Sequence, residues 1–466
     1  MHSNSHNGQT GQLTRFPEGS IRELWTIAFP LILAALSGNL MIFLDRLILA
    51  NYSTDAMNAA ATAGMVCALF QYGALGISSI AEVFVGQYNG SKQKSKMGSP
   101  AWQMIWFSLL TYIVFIPFAI WGGPYLLAKE YLDLAMPYYQ WLMFCGPFLA
   151  LFSALAAFFI GKGDTRLIFI ATLIGNVLNL ILNVILVFGI KNWLAPMGIA
   201  GSAIATVISQ AIMILILLYV FLNANNRKVY GTAKFQFNLN EFWKCLKIGT
   251  PSSIGIMIEI AAWALILNLM ASLSEAHITV WTIANSIFIV FAFTNSGMQK
   301  AIITIAANLI GARKIDLIPK MIRSAFKLIL LIAGIIAIPM LVVPDLFLTA
   351  FLANDMQPQI YYYARIGLIG MWICFFFDGL VWIFAGILTA GGDTKFIMIT
   401  NAIAAWLFAI VPVYIFVVKG DGNPSLTCFL VSLYTILNCF AFFLRYRSHK
   451  WKSKHVIESA EEIIEA

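Results

Sequence analysis

The sequence predicts an all-α membrane protein, with twelve transmembrane helices in two pseudosymmetric six-helix lobes around a central cleft. Three observations predict it. Sixty per cent of the 466 residues are apolar, only 11% are charged and the mean hydropathy is +0.83. That is more apolar surface than one aqueous core could hide. The surface comes in twelve runs, each long enough to cross a bilayer core as helix and unlike the roughly ten-residue alternation of a membrane barrel. The second six runs repeat polar landmarks of the first.

Residues 1–19 read as a cytoplasmic tail. Met1 to Thr14 are polar and lack the charged start, short apolar stretch and small-residue cleavage site of a removable signal peptide. The first lobe takes in 20–222, with apolar runs at 25–50, 57–86, 102–127, 136–160, 167–188 and 198–222. A basic linker, 223–240, follows. The second lobe takes in 241–445, with runs at 248–273, 279–310, 326–351, 360–390, 396–418 and 426–444, and 446–466 form a second tail. The longest runs have room to tilt or protrude.

Lysine and arginine set the orientation. Arg15, Arg22, Lys92, Lys94, Lys96, Lys162, Arg166, Arg227, Lys228, Lys234, Arg313, Lys314, Lys320, Lys395 and the tail from Arg445 to Lys454 fall on one side. The other side holds little beyond Lys129, Lys191 and Lys419. Such a bias puts both termini in the cytoplasm. It also accounts for the net charge of +8, so the basic surplus is no sign of nucleic-acid binding. The closing glutamates Glu458, Glu461, Glu462 and Glu465 read as an exposed amphipathic helix end. Six cysteines, scattered mostly inside apolar runs without a CxxC, read as small packing residues rather than disulfides or metal ligands. None of the histidines (His2, His6, His277, His449, His455) falls mid-membrane, which leaves no histidine-based metal or proton-relay site.

The repeat is specific. Glu23-Leu24-Trp25 opens the first half and Glu241-Phe242-Trp243 the second. A shift of 221 residues places Pro30 on Pro251 and Gln87-Tyr88-Asn89-Gly90 on Asn308-Leu309-Ile310-Gly311. Gly163-Asp164-Thr165-Arg166 finds its echo in Gly392-Asp393-Thr394-Lys395. Six spans per half give both halves the same orientation, related by an axis along the membrane normal. Compositional likeness between apolar helices does not explain polar turns matching at nearly constant offsets. Two such lobes form the architecture of a secondary transporter, expected to be monomeric.

Charges inside the spans then become the candidates for function. Glu259, in the stretch IEIAAW, has no other charge within ten residues on either side. An ionisable group at that depth costs at least ~2.5–3.5 kcal/mol, so it faces a partner, a cavity or an ion. Asp378, in FFFDGLVW, and Asp45, in FLDRLIL, are placed similarly. Asp45 beside Arg46 can also be read as a buried pair that fixes packing. Glu82 and Lys300, near span ends, read as interfacial or interhelically paired groups. On a helix Glu259 and Trp263 share a face, as do Asp378 and Trp382. A carboxylate beside an indole seats a flat cation by charge and by the ring face. The same carboxylates can bind a sodium ion, with Asn285 in the eighth span as a donor of amide oxygen, or take a proton. Trp263, Trp382, Trp372 and Arg46 are the candidates for lining the cleft; aromatic residues also serve as ordinary packing in such helices.

The run from Asn176 to Gly189, the stretch PMGIAGSAIAT from Pro196 to Thr206, the two G-D-T-(R/K) turns and the placement of Glu259 and Asp378 together resemble the multidrug and toxic compound extrusion (MATE) family. The likeness runs from about Gly19 to Arg445 and is greatest to its NorM-like bacterial branch. The resemblance implies a multi-pass protein of the bacterial inner membrane that exports small organic cations, driven by inward sodium ions or protons, and needs no cofactor. It implies that Glu259 and Asp378 are the second lobe's cation-binding carboxylates and that Asp45 is the first-helix aspartate, with Asn179 its polar neighbour in the fifth helix. Asn183 stands where some members have a second aspartate, so the first lobe holds only one of that pair.

Two rival functions are weaker. A flippase for lipid-linked saccharides, of the same superfamily, needs several arginines and lysines in its cavity to meet a diphosphate, whereas the mid-membrane charges here are mainly acidic. An integral-membrane lipid-modifying enzyme needs paired aspartates for magnesium or a His-Asp constellation, and the sequence has no DxxD-type cluster. Isolated buried carboxylates in a two-lobe repeat also suit alternating access better than a channel.

Overall fold

A computed structural model describes residues 12–127, 129–345, 348–349, 358–453 and 456–457. Twelve of its helices are long and apolar enough to cross a membrane: α1 (Ile21–Tyr52), α2 (Thr54–Gly90), α3 (Lys94–Leu126), α4 (Lys129–Gly161), α5 (Thr165–Phe188), α6 (Gly198–Phe221), α7 (Leu239–Leu273), α8 (Glu275–Gly311), α9 (Ile315–Val342), α10 (Pro358–Ala390), α11 (Thr394–Lys419) and α12 (Leu426–Arg447). The twelve expected spans are all present, and most run past their apolar stretch. α9 is described as one unbroken helix to Val342, and 348–349 beyond it are again helical. Within that expected span 346–347 and 350–351, together with the first eleven residues and the closing acidic run, lie outside the described residues.

The repeated openings are helix caps. Ser20 accepts the Glu23 amide at 3.2 Å while Glu23 Oε2 accepts the Gly19 amide at 2.6 Å, a capping box whose return bond falls one residue before the N-cap. Asn238 caps α7 by accepting the Glu241 amide at 3.1 Å, while the Glu241 carboxylate accepts the Ser99 hydroxyl instead of a backbone amide. The two G-D-T turns follow α4 and α10, where Gly163 and Gly392 take φ of +87° and +77°, a conformation that costs glycine little. Wide π-type turns recur at matching places in α3 (Phe118–Gly122, after Pro117) and α9 (Ile338–Val342, containing Pro339). In each a proline removes an amide donor from the ladder.

Packing distinguishes the two ends of the bundle. At the face carrying the termini and basic loops, one apolar core spans α1–α6 and α7–α12 together, including Leu24, Phe84, Phe158, Ile302 and Phe442. Toward the opposite face it divides into a core within α1–α6, around Ala63, Phe115 and Tyr139, and another within α7–α12, around Trp281, Phe375 and Val413. The lobes are thus fused at the basic face and separate beyond it. Large apolar side chains such as Ile113, Leu331 and Tyr219 remain exposed on the periphery, as lipid contact requires.

Backbones meet closely at the fused end. A Cβ on Gly90 would run into the Asn308 carbonyl, and one on Gly311 into that of Gln87. Polar bonds tie the same seam: Asn89 Nδ2 donates to Asn308 Oδ1 at 2.6 Å, and Gln87 Nε2 donates to the Ala390 carbonyl at 2.8 Å. The segment entering each lobe also laps onto the other. Ser324 of α9 donates to the Gly19 carbonyl at 2.7 Å, and Gln103 of α3, at the equivalent position, donates to the Gln236 carbonyl at 3.0 Å.

Candidate functional site

Where the lobes part, a cavity of about 510 Å³ opens between α2, α7, α8, α10, α11 and α12. Glu259 of α7 and Asp378 of α10 both line it, as do Trp263 and Trp382, each one turn beyond its carboxylate. Asp378 Oδ2 accepts two donors, Trp382 Nε1 at 2.8 Å and Asn295 Nδ2 at 2.9 Å. Asn295 also donates to the Phe375 carbonyl at 3.2 Å, which fixes its amide. Glu259 interacts with the Trp263 indole and feels the charge of Asp378. Trp263 is itself held by near-parallel stacking on Trp281 (5.7 Å, 24°) and Phe288 (5.8 Å, 18°). Among the described residues neither carboxylate forms an ion pair.

The rest of the wall is mixed. Tyr72, Ser79, Ser252, Ser296, Gln299, Asn401, Tyr434, Thr435 and Asn438 bring oxygen and nitrogen atoms to the cavity. Asn438 Nδ2 donates to Asn401 Oδ1 at 3.0 Å, while its buried Oδ1 meets no donor in hydrogen-bonding geometry among the described residues. This surface offers two carboxylates, neutral oxygens and two indoles, a donor set for a hard monovalent cation or for a flat organic one.

Other expected site residues lie elsewhere. Asn285 does not line this cavity; the α8 amide that reaches Asp378 is Asn295, ten positions on. Trp372 packs within the second lobe, donating to the Ala333 carbonyl at 2.9 Å and stacking on Phe376. Asp45 and Arg46 do not pair. Asp45 is buried and accepts Asn183 Nδ2 at 2.5 Å and the Thr206 hydroxyl at 3.4 Å, while Arg46, the next residue on the helix, points to the exposed side. Asn179 joins this first-lobe cluster through Thr206, to which it donates at 3.3 Å. Neither Asp45 nor its partners line the cavity between the lobes.

Glu82 and Lys300, expected to be interfacial or interhelically paired, both line the cavity; Glu82 is only 4% exposed and accepts the Thr304 hydroxyl of α8. Asn295 was legible in the polar run Thr294-Asn295-Ser296 within an apolar span, and Asn438 stands similarly alone in α12.

Twelve membrane helices in two pseudosymmetric lobes, with an acidic cavity at the lobe boundary, define a membrane transporter. The MatE family model matches residues 30–185 and 251–415, and the chain belongs to this family of multidrug transporters. The chain is 23% identical over 462 residues to a probable multidrug resistance protein NorM from Thermotoga maritima, covering 95% of this chain and 96% of that one. It is 24% identical over 348 residues to the probable multidrug resistance protein YoeA of Bacillus subtilis, covering 71% and 73%. The fold matches that of a MOP superfamily transporter from Pyrococcus furiosus (TM-score 0.81, 17% identity, 96% and 99% covered). It also matches a mutant of the Vibrio cholerae MATE transporter VcmN (TM-score 0.82, 16% identity, 93% and 98% covered).

Proposed function

We propose that this protein exports organic cations from a bacterial cytoplasm across the inner membrane, in exchange for inward sodium ions or protons, by alternating access. The single observation that carries the reading is that Glu259 and Asp378, from two different helices, line one cavity with an indole beside each and no ion pair to neutralise either. Relatives named as multidrug resistance proteins support it.

With the basic face toward the cytoplasm, fusion of the lobes at that face is the outward-facing arrangement. Sodium ions or protons entering from outside neutralise Glu259 and Asp378 and displace the bound cation. The lobes then rock so that the seam at Gly90 and Gly311 parts and the opposite ends meet. Once the coupling ion leaves to the cytoplasm, the bare carboxylates take the next cation, helped by the Trp263 and Trp382 ring faces at about 2 kcal/mol when desolvated. One negative site serving two cations in turn is sufficient for exchange.

Ethidium transport by purified protein in proteoliposomes tests the reading. The Glu259→Gln, Asp378→Asn double variant should lose transport; wild-type rates in it would refute the carboxylate assignment. Imposing a sodium gradient and a proton gradient separately identifies the coupling ion. A lipid-diphosphate cargo is disfavoured, since the cavity presents three carboxylates (Glu82, Glu259, Asp378) and Lys300 against them.

A further inference from the structure

Glu82 is the buried charge that exchange at Glu259 and Asp378 leaves unused. Its Oε1 accepts the Thr304 hydroxyl at 2.8 Å. Lys300, one helical turn before Thr304 on α8, lines the same cavity and acts on the charge of Glu82 without closing an ion pair. Glu82 belongs to α2 of the first lobe, Thr304 and Lys300 to α8 of the second. One turn beyond Glu82, Gly86 packs on Ala307, where the seam begins.

This placement makes the environment of Glu82 conditional on the seam. While the lobes are fused, the carboxylate has a donor and a cation from the opposite lobe. When they part at the basic face, both leave together. What remains is a bare carboxylate beside the opening, which attracts a positive group. A carboxylate whose charge is offset by a nearby ammonium holds a free organic cation less tightly.

We propose that Lys300 is a tethered counter-ion whose charge offsets that of Glu82 each time the seam closes, loosening an organic cation first held there and passing it toward Glu259 and Asp378. The proposal rests on the exporter reading above and adds an entry subsite with a built-in competitor. Lys300 thereby sets the direction of travel inside the cavity: binding at Glu82 is strong while the seam is open and weak once it shuts.

The test uses the full-length protein, with equilibrium ethidium binding in detergent and transport kinetics in proteoliposomes. Lys300→Gln should bind ethidium about tenfold more tightly and turn over more slowly by a similar factor, the scale of about 1.4 kcal/mol. Lys300→Arg should restore turnover. Glu82→Gln should raise KM, because Lys300 then repels the cargo. Adding Lys300→Gln to Glu82→Gln should relieve that rise without slowing turnover further. Damage to packing does not tighten binding, so the tightening separates this role from a structural one. Unchanged or weaker ethidium binding by Lys300→Gln overturns the proposal, as does equal slowing by Lys300→Gln with and without Glu82. The Glu259→Gln, Asp378→Asn variant in the same preparation reports separately on the exporter reading, which stands if only the Lys300 series fails.

Discussion

Gly86 and Ala307 face one another across the lobe boundary, related by the same 221-residue shift that maps Pro30 onto Pro251; a Cβ on the glycine would lie 2.8 Å from that of the alanine. A pair of equivalent positions in mutual contact marks where the pseudo-twofold axis passes through the molecule. The flanking contacts obey the same operation, since Gly90 against Asn308 becomes Gly311 against Gln87. Contacts of this kind make a seam that closes as a unit, because relieving one half of each symmetric pair relieves the other.

If closure of this seam is part of the transport cycle, Gly90→Ala and Gly311→Ala should be equivalent. Each places a methyl group against a backbone carbonyl that has no side chain to swing aside, and overpacking of this kind costs about 1–3 kcal/mol. Ethidium transport in proteoliposomes should fall about tenfold for both. Gly38→Ala and Gly334→Ala, where nothing lies within 4 Å, should transport as wild type. Full activity of both seam variants would show that the cycle does not use this closure.

The two α8 amides make a sharper comparison. Asn295→Ala removes one of the two donors to Asp378 and frees the carboxylate to turn. A hydrogen bond to a charged group is worth about 1.5–3 kcal/mol, so KM for ethidium should rise about tenfold or more. Asn285→Ala, away from the cavity, should leave it within about twofold. Equal effects of the two variants on transport kinetics would place Asn285 in the site after all.

How much was legible follows from which signals are local. The twelve helices, the two caps at Glu23 and Glu241 and the repeat are written in hydropathy and in short polar motifs, each set within a few residues of chain. Glu259 and Asp378 stood out because charge in an apolar run is costly wherever it lies. Asn295 and Glu82 depend on register between helices. Asn285 and Asn295 are both amides in the same span, and only the packing of α8 on α10 decides which one reaches Asp378. Glu82 reads as interfacial or interhelically paired, but its partner is not written near it: Thr304, whose hydroxyl it accepts, lies 222 positions away.

In the first lobe the buried Asp45 organises neutral donors rather than an ion pair. Asp45→Ala would leave the amide of Asn183, which is 0% exposed, without its acceptor and would remove one partner of Thr206. An unsatisfied buried polar group costs about 1–3 kcal/mol, so the thermal midpoint in detergent, followed by tryptophan fluorescence, should drop by several degrees. Asp45→Asn keeps the shape and part of the bonding and should drop less. Lost transport with an unchanged midpoint would instead give Asp45 a direct part in the exchange.

The two G-D-T turns carry the same motif with unequal electrostatics, which yields a comparison within one molecule. In the second lobe the Asp393 side chain is 0% exposed and accepts Arg445 Nε at 2.6 Å, with the guanidinium also over the Phe396 ring at 4.8 Å. In the first lobe the Asp164 side chain is 42% exposed and lies 3.6 Å from Lys162. Removing one member of a buried pair strands a charge and costs about 3 kcal/mol, whereas an exposed carboxylate is rescued by water. Lys162 adds its own constraint: burial holds its pKa below the usual lysine range, and it sits among the Phe158, Phe159 and Tyr230 rings at 5.1–5.3 Å. Lys162→Met, which keeps the stem and drops the charge, should therefore be nearly neutral in thermal unfolding, while Arg445→Met should be severely destabilising. The Arg445→Met, Asp393→Asn double variant should recover much of the loss, because the buried carboxylate charge is then removed along with the guanidinium. Similar midpoints for Lys162→Met and Arg445→Met would mean that burial does not separate the two turns.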